Sequence, residues 1–328
     1  MCTAVMFQPD YARDFYFGRT LDHHLSYGED VCIVPRRMPL SFRNGLTVSS
    51  HFSIIGMAHV AEDVPLFYDA CNEKGLAAAG LNFPENAVYM AEVDGFDNIP
   101  PYEFITWILC QCASVEDVKI LLSRCSMVNL PFSSSLPLSP LHWIVADRYA
   151  SITVEPLSDG LKVYENPAGV LTNNPPFGWH LHNLNQYMSL TSDSPQNNFA
   201  PSLSLQPCSL GIGAFGLPGD YSSPSRFVRA AFTRWNSVSG PSEEECINQV
   251  FHLLDTVSIP RGAVRLEDGH YEITQYTSCC NASHGIYCYT TYENRQITAV
   301  NMYHEDLESN TLITFPLRRN LQIHKENP

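Results

Sequence analysis

Short β-prone apolar runs separated by polar turns open the chain. Thr3-Ala4-Val5-Met6-Phe7 is one run and Phe15-Tyr16-Phe17-Gly18-Arg19 the next. A polar turn over 8–14 lies between them, which predicts an N-terminal hairpin. Stretches 54–59 and 75–82 read as further strands. The periodicity then changes. Residues 101–112 and 114–125 carry helical spacing. In the second of these, Val115, Val118, Leu121 and Leu122 share a face, and Ser114 followed by Asp117 resembles a capping box. Another helical block starts near Ser223, where Pro224 suits a first turn, and runs through 226–235. Ser242-Glu243-Glu244-Glu245 opens one more helix, with Ile247, Val250, Phe251 and Leu254 as its apolar stripe. Strand-like runs return at 141–146, 151–155, 161–164, 271–277, 285–292 and 296–300.

Blocks of strands and blocks of helices do not make the regular alternation of a parallel doubly wound sheet. They fit an α+β fold of two antiparallel sheets with helices packed outside. No repeat or linker divides the chain, so one domain over 1–328 is expected. Segment 192–207, rich in Ser, Pro and Asn, reads as a long excursion.

Composition narrows the function. A 45% hydrophobic content supports a large core, and 19 Lys+Arg against 34 Asp+Glu give a net charge of −15. Such a surface repels phosphate backbones and anionic membranes, so neither nucleic acid nor membrane is an expected partner. No apolar run approaches the ~20 residues of a membrane helix, and no leader pattern opens the chain, so a cytoplasmic location is expected. The 11 cysteines are odd in number and scattered. Cys110/Cys112 and Cys279/Cys280 lack zinc-site spacing. Buried free thiols are the expectation, with no metal and no cofactor.

Candidate chemistry starts at Cys2. Removal of Met1 leaves a residue carrying both a thiol and an α-amine. A thiolate is a strong nucleophile, and an α-amine of ordinary pKa about 8 can serve as its base near neutral pH. Gly18-Arg19-Thr20-Leu21-Asp22 ends the second predicted strand, close to Cys2 in a hairpin. Arg19 there can stabilise a thiolate and Asp22 can hold an amine, although Arg–Asp pairs at strand ends are common and worth little on a surface. Asn82 and Asn173 follow apolar strands, at Gly80-Leu81-Asn82-Phe83-Pro84 and Leu171-Thr172-Asn173-Asn174-Pro175. An amide N–H aimed at an oxyanion can supply ~3 kcal/mol, but Asn before Pro is also an ordinary turn residue. Arg226 lies in a first helical turn, where it opposes the macrodipole. His23-His24, His142 and His180-x-His182 are candidate bases without a recognisable partner motif.

Together, Met1-Cys2-Thr3, Gly18-Arg19-Thr20-Leu21-Asp22, Asn72-Glu73-Lys74-Gly75-Leu76 with Gly80-Leu81-Asn82-Phe83-Pro84, Leu171-Thr172-Asn173-Asn174-Pro175, and Gly219-Asp220-Tyr221-Ser222-Ser223 with Ser225-Arg226-Phe227 resemble the choloylglycine hydrolase family of bile salt hydrolases and penicillin V acylases. The resemblance runs from Cys2 to the final strands. It implies the four-layer αββα N-terminal nucleophile hydrolase fold. It implies Cys2 as nucleophile with its own amine as base, Arg19 beside the thiol, Asp22 holding the amine, Asn82 and Asn173 as oxyanion amides, and Arg226 as a second site arginine. The implied reaction is hydrolysis of glycine- or taurine-conjugated bile acids through a thioester, with a penicillin V acylase or a non-catalytic bile-acid binder as alternatives. Segments 57–68 and 127–142 are the expected walls of a steroid cleft. Segment 192–207 resembles the family's assembly excursion, which implies a homotetramer. His23-His24 and Ser209-Leu210-Gly211 depart from the family's pattern and leave the choice of glycine or taurine open.

Overall fold

The structure, a computed structural model, describes residues 1–9 and 14–327. The chain runs β1 (Cys2–Phe7), β2 (Tyr16–His23), β3 (Glu29–Val34), the short β4 (Leu40–Ser41) and β5 (Thr47–Val48), β6 (Ile54–Ala61), β7 (Val64–Asn72), β8 (Ala77–Asn82) and β9 (Asp97–Ile99). Helices α1 (Phe104–Leu109) and α2 (Val115–Leu122) follow. Then come β10 (Cys125–Met127), β11 (Leu141–Ala146), β12 (Ser151–Leu157), β13 (Gly160–Glu165) and β14 (Val170–Leu171). Helices α3 (Phe177–Asn183), α4 (Ser223–Asn236) and α5 (Glu243–Asp255) precede β15 (Val264–Arg265), β16 (Tyr271–Asn281), β17 (Ile286–Thr291), β18 (Thr298–Asn301) and β19 (Ile313–Pro316).

Two antiparallel sheets organise these elements. One has the order β14-β1-β2-β16-β17-β18, with β15 also on β16; the other is β13-β12-β11-β8-β7-β6-β3-β19. They stack face to face. Residues such as Ile33, Met57, Ala79 and Ile144 of one sheet pack with Ala4, Phe17 and Tyr287 of the other. Helices α4 and α5 cover the outer face of the β1 sheet, and α1 and α2 cover the β8 sheet through Phe104, Trp107, Val115 and Val118. The layers are therefore αββα, as expected. Gly18 lets α5 approach β2 closely: a Cβ there would meet the Ser278 carbonyl at 2.6 Å and Leu254 and Val250 at 3.0 Å.

Local signals are realised in part. Ser242 and Glu245 form the full capping box of α5, and Ser222 caps α4. Ser114 caps α2 through Asp117 N–H, but the Asp117 carboxylate turns to Ala113 N–H at 2.9 Å, so the reciprocal arm is missing. A shorter Asp reaches the neighbouring amide where a Glu reaches the cap. The helix expected over 101–112 is only six residues long, because Pro100 and Pro101 keep its start in turns. β3, β7 and β19 and helix α3 were not anticipated. Of the turn expected over 8–14, residues 10–13 lie outside the described residues. Segment 192–207 contains no helix or strand.

Candidate active site

β1 begins at Cys2, and its ladder with β2 decides what surrounds the thiol. Cys2 lies opposite Leu21 and Ala4 opposite Arg19, so the Cys2 and Arg19 side chains share one face of the sheet. Thr3 and Thr20 are paired on the other face, and Asp22 shares it. The Cys2 face borders the space between the sheets, and the Thr3 face lies toward α4.

Arg19 is fully buried between the sheets. Its Nη1 donates to the carbonyls of Tyr68 and Gly80, both at 2.9 Å, and its Nε lies 4.0 Å from Asp69. Its Nη2 is buried without a hydrogen-bond partner among the described residues. Burial works against its charge, but Cys2, Tyr276 and Asp69 outweigh that and hold the guanidinium firmly protonated. Asp69 in turn accepts from the hydroxyls of Tyr276 and Tyr287 at 2.6 Å and Ser278 at 2.9 Å. Burial raises the Asp69 pKa against those donors and Arg19.

On the other face, Asp22 accepts from Thr274 at 2.6 Å and Thr20 at 3.2 Å. Burial raises its pKa, opposed by Arg226 and the chain's amino terminus. The Met1 ammonium bonds the Asp22 carbonyl at 2.7 Å and pairs with Glu272. Arg226, fully buried in the first turn of α4, donates to the Cys2 carbonyl at 2.5 Å, to Thr3 Oγ1 at 2.7 Å and to Asn173 Oδ1 at 2.7 Å. Its awkward position in the helix dipole is thus explained by what it reaches. Burial lowers its pKa, with Asp22, Cys2 and Glu272 working the other way.

Asn173 joins the two halves of the site. Its Oδ1 accepts from Cys2 N–H at 2.8 Å as well as from Arg226, and its Nδ2 donates to the Asn82 carbonyl at 2.7 Å. Two donors on one atom and an acceptor on the other fix the amide's orientation. Asn173 therefore shows its oxygen, not its N–H, to Cys2; one hydrogen of Nδ2 remains for an oxyanion. Asn82 ends β8. Phe83 N–H reaches the Pro140 carbonyl, so Asn82 and Leu141 are a non-hydrogen-bonded pair, and the Asn82 N–H points away from β11 on the same side as the carbonyl that meets Asn173. The Asn82 side chain is exposed at the edge of the site.

All six residues singled out in the sequence thus belong to one connected constellation. Sequence reading missed Asp69, Glu272, Thr274 and Ser223, whose hydroxyl accepts from Asn173 N–H at 2.8 Å. Asp69 left a signal, a lone acid in the apolar run Leu66-Phe67-Tyr68-Asp69-Ala70-Cys71, which calls for a buried cation. The candidate histidines serve other partners: His142 lies between Glu155 and the Thr172 carbonyl, and His180 donates to the Asn173 carbonyl at 2.9 Å. His23 and His24 stack at 4.4 Å. Ten of the eleven cysteines are buried and Cys208 is exposed. Burial pushes Cys32, Cys110, Cys112, Cys125 and Cys288 up to about 12, which keeps them protonated and inert at neutral pH.

The two segments expected to wall a cleft, 57–68 and 127–142, both reach the Asn82 end of β8. Segment 57–68 is the hairpin of β6 and β7, with Met57 and Ala58 in the core and its tip at Glu62 and Asp63. That tip, the chain entering β11 and the Leu25–Tyr27 stretch before β3 lie at the Asn82 end of the β8 sheet. Of two cavities of about 370 Å³, one, walled by Tyr221, Thr274, Thr277 and Arg295, adjoins the Asp22 side of the site, and one is walled by Met90 and Leu130; Cys2 lines neither.

The choloylglycine hydrolase family of linear amide C–N hydrolases matches residues 2–315. The chain belongs to this family. It is 47% identical over 327 residues to a bile salt hydrolase/transferase of Lactiplantibacillus plantarum, with 100% of both chains covered. It is 38% identical over 314 residues to one of Clostridium perfringens, with 95% of each covered. A crystal structure of a variant of the conjugated bile acid hydrolase of Clostridium perfringens superposes with a TM-score of 0.90 at 37% identity, over 99% of this chain and 100% of that one. The penicillin V acylase of Agrobacterium tumefaciens shares the fold, with a TM-score of 0.76 at 22% identity over 97% of this chain and 92% of that one. This choloylglycine hydrolase family member is thus a linear amide hydrolase with the N-terminal nucleophile hydrolase fold. Among the described residues, no helix is long and apolar enough to cross a membrane.

Proposed function

We propose that this chain is a cytoplasmic bile salt hydrolase that cleaves the amide of glycine- or taurine-conjugated bile acids, in one catalytic domain over 1–328. The observation that carries the reading is the convergence of Arg19, Arg226 and Asn173 on Cys2, in a chain 47% identical along its whole length to a bile salt hydrolase/transferase. After Met1 is removed, the amine of Cys2 takes the thiol proton and the thiolate attacks the carbonyl carbon. Arg19 supplies the positive charge on the thiol's face. Asn173 Oδ1 and the Cys2 carbonyl held by Arg226 aim the amine, while Asp22 adds a carboxylate on the Thr3 face. The oxyanion is stabilised by the Asn82 N–H, its side-chain amide and the remaining Asn173 hydrogen. The amine hands its proton to the leaving nitrogen, glycine or taurine departs, and water attacking the thioester releases the bile acid. No step calls for a metal or a cofactor.

The steroid would lie against the Leu25–Tyr27 stretch and the β6–β7 hairpin tip. Leu25, Tyr27 and Val64 are exposed there, and apolar burial is worth roughly 25 cal/mol per Å² before ordering costs. Oligomerisation, to a tetramer, is supported by exposed apolar side chains in and beside the excursion: Phe199, 87% exposed, and Leu203 within it, and Leu210, 96% exposed, Met188 and Phe215 flanking it.

With Met1 attached, the Cys2 nitrogen is an amide, which cannot act as base. That state is a bile-acid binder without turnover. The experiment is an intact-mass measurement followed by a side-by-side assay of glycine, taurine and 6-aminopenicillanic acid release by Met1-free protein. Release of glycine or taurine at the higher kcat/KM supports the proposal. A preference for penicillin V moves the chain to the acylase branch, and no product from any of the three leaves only binding.

A further inference from the structure

β11 and β12 carry a buried, hydrogen-bonded His–Glu pair that none of the catalytic steps uses. His142 and Glu155 are both fully buried. They are the next cross-strand pair after Trp143 and Val154, pointing into the space between the sheets. His142 Nδ1 lies 3.0 Å from Glu155 Oε1, and its Nε2 lies 2.9 Å from the Thr172 carbonyl. The same Glu155 oxygen accepts Phe177 N–H at 3.0 Å. The His142 ring lies flat on Phe83, with centroids 4.1 Å apart and planes 6° apart.

These contacts touch both asparagine segments. Phe83 follows Asn82, Thr172 precedes Asn173, and Phe177 opens α3 at the far end of the 173–176 turn. The two segments meet at the 2.7 Å bond from Asn173 Nδ2 to the Asn82 carbonyl. We infer that His142 and Glu155 are positioning residues for amide hydrolysis, clamping the segments that bear Asn82 and Asn173 in the register needed to stabilise the oxyanion. The inference rests on the reaction proposed above and adds to it a residue pair that never touches substrate.

The hydrogen count explains why both partners are needed. Two oxygens face the ring, so each ring nitrogen requires a proton on or beside it. A carboxylate partner keeps a proton between Nδ1 and Oε1 while Nε2 still donates to Thr172. Against a Gln at 155, the imidazole has one N–H to serve two acceptors. If the amide instead turns its own N–H to the ring, Phe177 N–H loses its acceptor. One tie of the clamp is released either way, in a site where Glu155 Oε2 already has no hydrogen-bond partner among the described residues.

The test compares Glu155→Gln and His142→Gln with the wild type, all Met1-free. Three measurements are made: kcat and KM, on whichever acyl amide the wild type cleaves (glycocholate or penicillin V); alkylation of Cys2 by iodoacetamide; and thermal unfolding. Alkylation needs the thiolate but no oxyanion donors. The expected result is a kcat lowered about 10- to 100-fold, as for misplacement of the order of 1 Å, with KM within about threefold and alkylation within about twofold. An unchanged kcat in a folded variant would overturn the inference. So would alkylation falling in step with kcat, because the pair would then act on the nucleophile or on folding at large. Reading variant against wild type on either amide separates a wrong role for the pair from a wrong substrate class.

Discussion

The side-chain oxygen of Asn173 receives the main-chain N–H of Cys2 at 2.8 Å and the Arg226 guanidinium at 2.7 Å. This one atom ties the Cys2 backbone, rather than its thiol, to the Arg226 side chain. Asn173 is thus an acceptor toward Cys2 and a donor toward Asn82, and in the proposed mechanism its second amide hydrogen serves the oxyanion.

Asn173→Ala removes both. It leaves Arg226 short of a buried acceptor, a loss of about 1–3 kcal/mol, and kcat is expected to fall about 10²-fold or more. Asn173→Asp keeps the acceptor for Cys2 and Arg226 but sets an oxygen against the Asn82 carbonyl. Stability of the Asp variant should stay nearer wild type than that of the Ala variant, while kcat falls as far. Denaturant melts with steady-state kinetics check this. An Asp variant with wild-type kcat would show that the donor function is idle.

Cys2→Ser tests the nucleophile. The hydroxyl fits the buried site but yields far less anion than the thiol. Folding is expected to survive, with amide hydrolysis down by orders of magnitude. Glycocholate turnover near the wild-type rate by the purified Ser variant would end the proposed mechanism.

Arg19 has a structural duty that must be separated from its proposed catalytic one. Arg19→Met leaves Asp69 buried without its cation, a loss of about 3–5 kcal/mol. Adding Asp69→Asn removes the stranded charge, since the amide can still pair with Tyr276, Tyr287 and Ser278. The double variant is expected to regain much of the stability and none of the activity. Recovery of activity together with stability would reduce Arg19 to scaffolding.

How far the sequence could be read depended on whether a signal was local. The N-terminal hairpin, the α5 capping box and the two helical faces are carried by adjacent residues and were legible. The site residues were legible only as a set: Arg226 alone is an unfavourable charge at a helix start, and its partners Cys2, Thr3 and Asn173 lie far away in sequence. The orientation of the Asn173 amide was not legible at all, because it is settled by donors on β1 and α4 and an acceptor on β8. β7 escaped notice because Tyr68 and Asp69 break its apolar run; Asp69 is there to face Arg19 across the sandwich, whereas Tyr68 offers Arg19 only its main-chain carbonyl. Glu272 and Thr274 lie in an ordinary-looking strand and gain meaning only from the register of β16 against β2.

Acid should loosen the site through His180. Its Nε2 donates to the Asn173 carbonyl, its ring stacks on Phe227 at 4.7 Å, and burial, followed by smaller effects of His142 and Arg226, lowers its pKa to about 4 despite that bond. In the unfolded chain the imidazole titrates at its ordinary value, about 6.5. Between these values the unfolded chain binds a proton that the folded chain does not. Stability from this group is therefore intact above about pH 6.5 and is lost as pH falls toward 4, by about 3 kcal/mol at most. His180→Gln keeps a donor for the Asn173 carbonyl but cannot titrate. The variant is expected to be less stable than wild type at pH 7.5, since the stacked ring is gone, and the gap should close or reverse by pH 4. Denaturant unfolding of both proteins at several pH values across this range gives the two profiles. Parallel profiles would show that His180 does not report acid to the Asn173 segment.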